Sequence, residues 1–176
     1  MAIPDRIAVA GESAGGNMAA AICVMARERN VPLPVHQLLV YPVVGTDTTT
    51  PSFIENANAK PLNKALMEWF GKHELQNPQD KLDPRIDLAN ANLRGLPRAT
   101  IITAEIDPLR SGGKLLAGKL KTAGVKVNYK NYEGVNHEFF GMGAVLDEAK
   151  DAVQFAARDL KRSFLMVEHR ESARVH

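Results

Sequence analysis

Three residues far apart in the chain have the types that nucleophilic chemistry needs: Ser13, Asp107 and His137. Ser13 lies in Gly11-Glu12-Ser13-Ala14-Gly15, a Gly-x-Ser-x-Gly turn that lifts a serine hydroxyl clear of the backbone when a strand precedes it and a helix follows. A serine hydroxyl is a weak nucleophile at neutral pH and needs an imidazole base, itself oriented by a carboxylate. The chemistry would be attack on a carbonyl carbon, with negative charge building on the oxygen. The Ala14 N–H, at the start of the following helix, would face that charge with the helix dipole behind it. Gly11 and Gly15 are expected to leave space where any Cβ would strike the strand or the helix. Gly16 completes the elbow, and Glu12 is expected to point away from the hydroxyl and brace the turn or a neighbouring loop.

The partners follow in the order acid, then histidine. Asp107 stands in Glu105-Ile106-Asp107-Pro108-Leu109, where Pro108 favours a turn directly after a strand. Glu105 competes as the acid, and Asp107 has the simpler alternative of capping the next helix; Glu105, however, is still in strand register. His137 follows a further strand. Its rivals are His36 before a strand, His73 at a helix end, and His169 and His176 in a polar tail, all four expected at the surface. Trp69, Phe70, Phe139 and Phe140 are aromatics for an acyl pocket wall or, more plainly, for the core. Gly141 and Gly143 read as a helix entry, and no Gly-x-Gly-x-x-Gly or Walker pattern follows any strand.

These residues need strands whose carboxyl ends share one edge. Apolar, β-branched runs at 6–10, 37–41 and 99–104 and an alternating run at 126–132 read as four strands. Helical stretches are expected at 14–29, 63–73 and 110–123, the last stopped by Gly124. Val145, Ala149, Ala152, Val153, Ala156 and Leu160 recur at helical spacing and describe one apolar face of a closing helix. Strand and helix alternate, so the expectation is an α/β fold with a parallel sheet, ligands binding at the strands' carboxyl ends. Residues 1–176 read as a single domain in which 45–98 is at most an insertion of loop and helix.

Composition narrows the function further. The 176 residues carry 22 Lys and Arg against 20 Asp and Glu, a net charge of +2, so the chain has no general basic footprint for nucleic acid. Its only basic cluster, Lys161, Arg162, Arg170 and Arg174, is near the end. No apolar run approaches the ~20 residues of a membrane span, and the first residues lack a signal-peptide layout. A soluble cytoplasmic protein is the expectation, and a single cysteine excludes a Cys-rich metal site. The lone Cys23 cannot form an internal disulfide and should pack as a small hydrophobe.

The motifs together resemble the hormone-sensitive-lipase-like family of α/β-hydrolases, bacterial carboxylesterases in particular. The likeness runs through DRIAVAGESAGGNMAA (5–20), the Tyr41-Pro42 pair, ITAEIDPL (102–109) and YEGVNHEF (132–139). Glu12 stands where the family usually has Asp. The resemblance implies hydrolysis of short-chain acyl esters through an acyl-enzyme, without a metal or other cofactor, with Ser13, His137 and Asp107 as the triad. It also implies that the chain corresponds to the C-terminal half of the fold, strands five to eight, with Met1 a cut or an alternative start. The family's His-Gly-Gly stretch, which supplies further oxyanion donors, belongs before the elbow; losing one such donor costs ~10²–10³ in turnover. The chain alone is therefore expected to be a feeble esterase, or an oligomerising module whose first strand is an apolar, unpaired edge. The covering partner would be an N-terminal half or a second copy, and the family also pairs through its last strand, here 126–132. An acyltransferase or peptidase using the same three residues is a weaker alternative.

Overall fold

The four apolar runs form four strands, and the helices after the first, third and fourth fold back over the sheet. The computed structural model describes residues 6–172, with side chains described through residue 167. Met1, His169, Arg170, Arg174 and His176 lie outside the described side chains. The strands are β1 (Ala8–Glu12), β2 (His36–Val40), β3 (Ala99–Ile106) and β4 (Val127–Asn136). The helices are α1 (Ala14–Glu28), α2 (Pro51–Glu55), α3 (Lys64–Glu74), α4 (Arg110–Thr122) and α5 (Asp147–Ser172). Short 3₁₀ turns lie at Pro78–Leu82 and Phe139–Gly141.

The sheet order is β1-β2-β3-β4 and every pairing is parallel. Parallel sheets are covered on both faces, which is why β2 and all but the last two residues of β3 are buried without alternation. Leu39 and Ile101 face one layer, made by Ala19, Ala20, Cys23 and Val24 of α1 and Leu116 and Leu120 of α4. Leu38, Val40, Ile102 and Ala104 face the other, made by Ala149, Ala152 and Ala156 of α5. Cys23 is buried as expected, and burial pushes its thiol up to about 12. α4 stops at Gly124, whose φ of +85° reverses the chain into β4. The last residues of β4 extend beyond the expected end, through Asn136 to the threshold of His137.

Several expectations need correction. The α5 stripe does not include Val145 or Val153, which are exposed; it continues instead through Asp159 and Ser163, which are buried. Trp69 and Phe70 are not core: α3 buries none of its residues, the two rings meet edge to face, and Trp69 also packs against His73 at its surface. The 45–98 region is more than a surface excursion, because Leu88, Leu93 and Leu96 enter the core beside Ile101 and Leu120. At the open edge of the sheet, β1 pairs only with β2 among the described residues, and Ile7, Met18 and Ile22 lie exposed beside it.

His36 is the largest departure. It is fully buried, not at the surface, because residue 36 already belongs to β2 and shares the α5 face with Leu38 and Val40. Its Nδ1 lies 2.9 Å from Ser163 Oγ and its Nε2 3.0 Å from Thr100 Oγ1, which donates in turn to Asp159 Oδ2 at 2.5 Å. Burial holds His36 down at about 4, against an upward pull from Asp159 and a further downward push from Arg98. The unfolded imidazole titrates near 6.5, so between pH 6.5 and 4 only the unfolded state takes up the proton. The stability from this site is full above pH 6.5 and falls as pH drops towards 4, by roughly 3 kcal/mol. Urea unfolding at pH 7, 5.5 and 4 is expected to show this slope in the parent chain and a flatter one in His36→Gln. Equal slopes in the two proteins would rule it out.

Candidate active site

Parallel strands end on a common edge, and here the residue immediately after each strand meets the others. Ser13 follows β1, Tyr41 follows β2, Asp107 follows β3 and His137 follows β4. His137 Nδ1 lies 2.7 Å from Asp107 Oδ2, and its Nε2 lies 3.0 Å from Ser13 Oγ. Asp107 is fully buried and His137 almost so. An acceptor-only carboxylate at Nδ1 fixes the proton there, which leaves Nε2 as the acceptor facing the serine O–H.

The elbow has the strain its motif implies. Ser13 has φ 53° and ψ −118°, a conformation that costs about 1–3 kcal/mol and persists only where the surroundings over-determine it. Its N–H donates to Val40 O at 2.9 Å, and its carbonyl accepts from Val43 N and Asn17 N. Asn17 Nδ2 also donates to the carbonyls of Val43 and Ile86, which ties α1 to the loop after β2. A Cβ on Gly11 would lie 2.0 Å from Gly15 O, and one on Gly16 would lie 2.9 Å from Pro42 Cβ. Gly15 departs from expectation: a Cβ there meets nothing within 4 Å, because that side of α1's first turn is open. Ala14 opens α1 directly after the serine.

The competition between the two acids is resolved by what each touches. Glu105 Oε2 accepts from Gly134 N at 2.6 Å and so braces the end of β4, whereas Asp107 reaches the imidazole. The helix-capping alternative for Asp107 is also partly realised, since its second oxygen accepts from Leu109 N at 2.8 Å. That bond fixes the carboxylate's rotation and leaves Oδ2 for His137.

Sequence reasoning missed the residues that hold this loop and the imidazole. Ser52 Oγ donates to Pro108 O at 2.7 Å and accepts from Ser111 N, while Asn56 Nδ2 reaches Asp107 O at 3.4 Å. Ser52 lies in α2 and Asn56 caps its C-terminus, so the 45–98 region supports the acid loop. The Tyr41 ring packs 4.4 Å from the His137 ring, and its hydroxyl donates to Glu12 Oε2 at 2.5 Å. Glu12 thus braces a neighbouring loop, as expected, and the loop is the one behind the imidazole. Burial, with the Glu12 bond next, pushes the Tyr41 phenol far above its ordinary range, so it stays a donor. Tyr41 has φ +33°, a warning that no local motif carries. Among the described residues no three metal-binding side chains converge, and no helix is long and apolar enough to cross a membrane.

Comparison with known proteins finds relatives of the same fold. The chain is 39% identical over 164 residues to a carboxylesterase of Mycobacterium tuberculosis, covering 91% of this chain and 51% of that protein. It is 32% identical over 161 residues to an ethyl acetate hydrolase of Pseudomonas putida, covering 90% and 50%. Among solved structures, a hyperthermophilic esterase from the archaeon Pyrobaculum calidifontis superposes with a TM-score of 0.87 at 41% identity, over 90% of this chain and 53% of the other. The chain spans about half the length of the curated relatives it matches, in keeping with the half-fold expectation. A family model described as the α/β-hydrolase fold matches residues 1–141, and with the parallel sheet and the strand-end site this places the chain in the α/β-hydrolase fold family.

Proposed function

We propose that this chain carries the nucleophile, base and acid of a carboxylic ester hydrolase of the hormone-sensitive-lipase-like branch, acting on short-chain acyl esters. The observation that carries the reading is the unbroken run from Asp107 Oδ2 through His137 to Ser13 Oγ, at 2.7 and 3.0 Å. The carboxylesterase and the ethyl acetate hydrolase among its relatives support a small ester as substrate.

In this mechanism Ser13 Oγ attacks the ester carbonyl carbon as its proton passes to His137 Nε2. The buried Asp107 carboxylate keeps Nδ1 protonated and stabilises the imidazolium that forms. Ala14 N–H donates to the oxyanion, with the dipole of α1 behind it. Collapse of the tetrahedral centre breaks the bond to the alcohol oxygen, which leaves with the proton from Nε2. Water then repeats the sequence against the acyl-serine, giving up its proton to Nε2, and Ser13 Oγ departs with that proton. Gly11, Glu12, Gly15 and Gly16 shape the elbow. The exposed β1 edge with Ile7, Met18 and Ile22 supports a second reading, in which the chain uses that face to assemble with another copy or with a complementary half of the fold.

Incubation of the purified chain with a neutral serine-directed phosphonate, followed by peptide mapping, tests the first reading; an adduct confined to Ser13 is expected. p-Nitrophenyl acetate turnover and the mass from light scattering, read on the same sample, bear on the second. A folded chain with no adduct on Ser13 would refute the hydrolase reading, and a monomer that neither turns over nor associates would remove the assembly reading.

A further inference from the structure

The residue after His137 is in a conformation that its type does not favour. Glu138 has φ +74°, left-handed backbone that glycine adopts freely and glutamate does not. The carbonyl of Glu138 accepts from Gly141 N in the following 3₁₀ turn, a bond that a glycine would make as well. The side chain accepts no hydrogen bond from the backbone among the described residues. Its carboxylate is more than half exposed and bends back over the imidazole, with Oε1 3.7 Å from His137 Nε2, the nitrogen that faces Ser13. That nitrogen is the unprotonated acceptor of the imidazole and brings no charge to pair with the carboxylate, and no other ion-pair contact of Glu138 is found among the described residues. The strained backbone thus delivers an uncompensated negative charge to the rim of the Ser13 site.

We propose that Glu138 sets the charge preference of this site, favouring esters that carry a cationic group close to the scissile bond and disfavouring those that carry an anionic one. The proposal rests on the hydrolase reading and names a substrate class within it. A reactive ester must bring its carbonyl carbon to about 3–3.5 Å from Ser13 Oγ, which puts it within about 10 Å of the Glu138 carboxylate. That is about one Debye length at physiological salt, so a charge on either side of the ester bond still feels the carboxylate. Through a partly solvated path the effect on relative rates should be several-fold to about tenfold.

Two other acidic groups act in the same sense. Glu12 stands one ring away, bonded to the Tyr41 hydroxyl, and Asp107 lies beneath the imidazole. The Tyr41 phenol, pushed up by burial and by Glu12, is pushed further by Glu138 and Asp107, which records their convergence. Of the cations near this edge, Arg110 is engaged with Glu55 and with the Glu105 carbonyl.

The test uses three phosphonates of matched leaving group and size, one neutral, one bearing a quaternary ammonium and one bearing a carboxylate. Second-order rates of Ser13 labelling are measured with each. In the parent chain the cationic probe is expected to react fastest and the anionic one slowest, with a spread of about tenfold that narrows in 0.5 M salt. In Glu138→Gln the ratio of the cationic to the anionic rate should fall several-fold, with Glu12 and Asp107 leaving a small residual preference. Glu138→Gly should do the same while unfolding at an equal or higher temperature, since glycine relieves the backbone. A parent chain that labels with all three probes at one rate, or a Glu138→Gln variant that keeps the parent ratio, overturns this proposal and leaves the hydrolase reading intact. No adduct with any probe overturns both.

Discussion

Ser13→Ala is expected to remove all phosphonate adduct from the chain, and His137→Ala to slow adduct formation by up to about 10⁶-fold, the scale of such deletions in serine hydrolases with this arrangement. With Nε2 3.0 Å from Ser13 Oγ, the hydroxyl has one base within reach, and the other oxygen-bound contacts of the elbow go through the backbone. Without the imidazole the proton has no acceptor, and a serine hydroxyl is then hardly better than water. Asp107→Asn should be milder than either but still severe, about 10⁴-fold, because the amide can present its NH₂ to Nδ1 and stabilise the wrong tautomer. The three residues act as a unit, so the Ser13→Ala, His137→Ala double variant should be no worse than Ser13→Ala alone. Labelling that persists at Ser13 in His137→Ala at a tenth of the parent rate would mean another base serves the serine. Circular dichroism on each variant separates loss of chemistry from loss of fold.

The residues proposed to do the chemistry were legible because each belongs to a short local pattern that marks the end of a strand. Ser13 is framed by glycines, Asp107 is followed by proline, and His137 closes an alternating run. A parallel sheet then brings the three together whatever the lengths of the connections. What was not legible depends on pairs distant in sequence. Tyr41 meets His137 and Glu12 through positions 96 and 29 residues away, and Ser52 reaches Pro108 across 56. The closing helix shows why periodicity alone misplaces a face. Val145 and Val153 are apolar and at acceptable spacing, yet α5 turns Ala149, Ala152 and Ala156 inward. Small side chains let its backbone approach the sheet, and the stripe then ends on Asp159 and Ser163, polar residues that the buried His36 requires. Without the partner in view, a histidine before a strand reads as surface.

Gly11→Ala is expected to be the most damaging of the elbow substitutions, and Gly15→Ala the least, although the motif treats the two glycines alike. At Gly11 the new methyl would lie 2.0 Å from the carbonyl oxygen of Gly15 and 2.2 Å from its carbon, both backbone atoms of α1. No rotamer change relieves such a clash, so β1 or the start of α1 must move. Overpacking against backbone should cost about 3 kcal/mol or more in stability. The displacement also falls on Ser13, which lies between the two clashing segments. A shift of about 1 Å in a reacting atom costs about 10²-fold in rate, and the 3.0 Å contact with His137 leaves no slack to absorb it. At Gly15 the methyl meets nothing within 4 Å, and the position lies in the first turn of a helix. Alanine loses less backbone entropy there than glycine, so Gly15→Ala should be neutral or stabilising by up to about 1 kcal/mol. Urea unfolding and the rate of Ser13 phosphonylation, measured on both variants, check the contrast. If Gly11→Ala folds with parent stability and labels at the parent rate, the elbow is softer than its strained serine implies; if Gly15→Ala fails as badly as Gly11→Ala, the open side of α1 is occupied in solution.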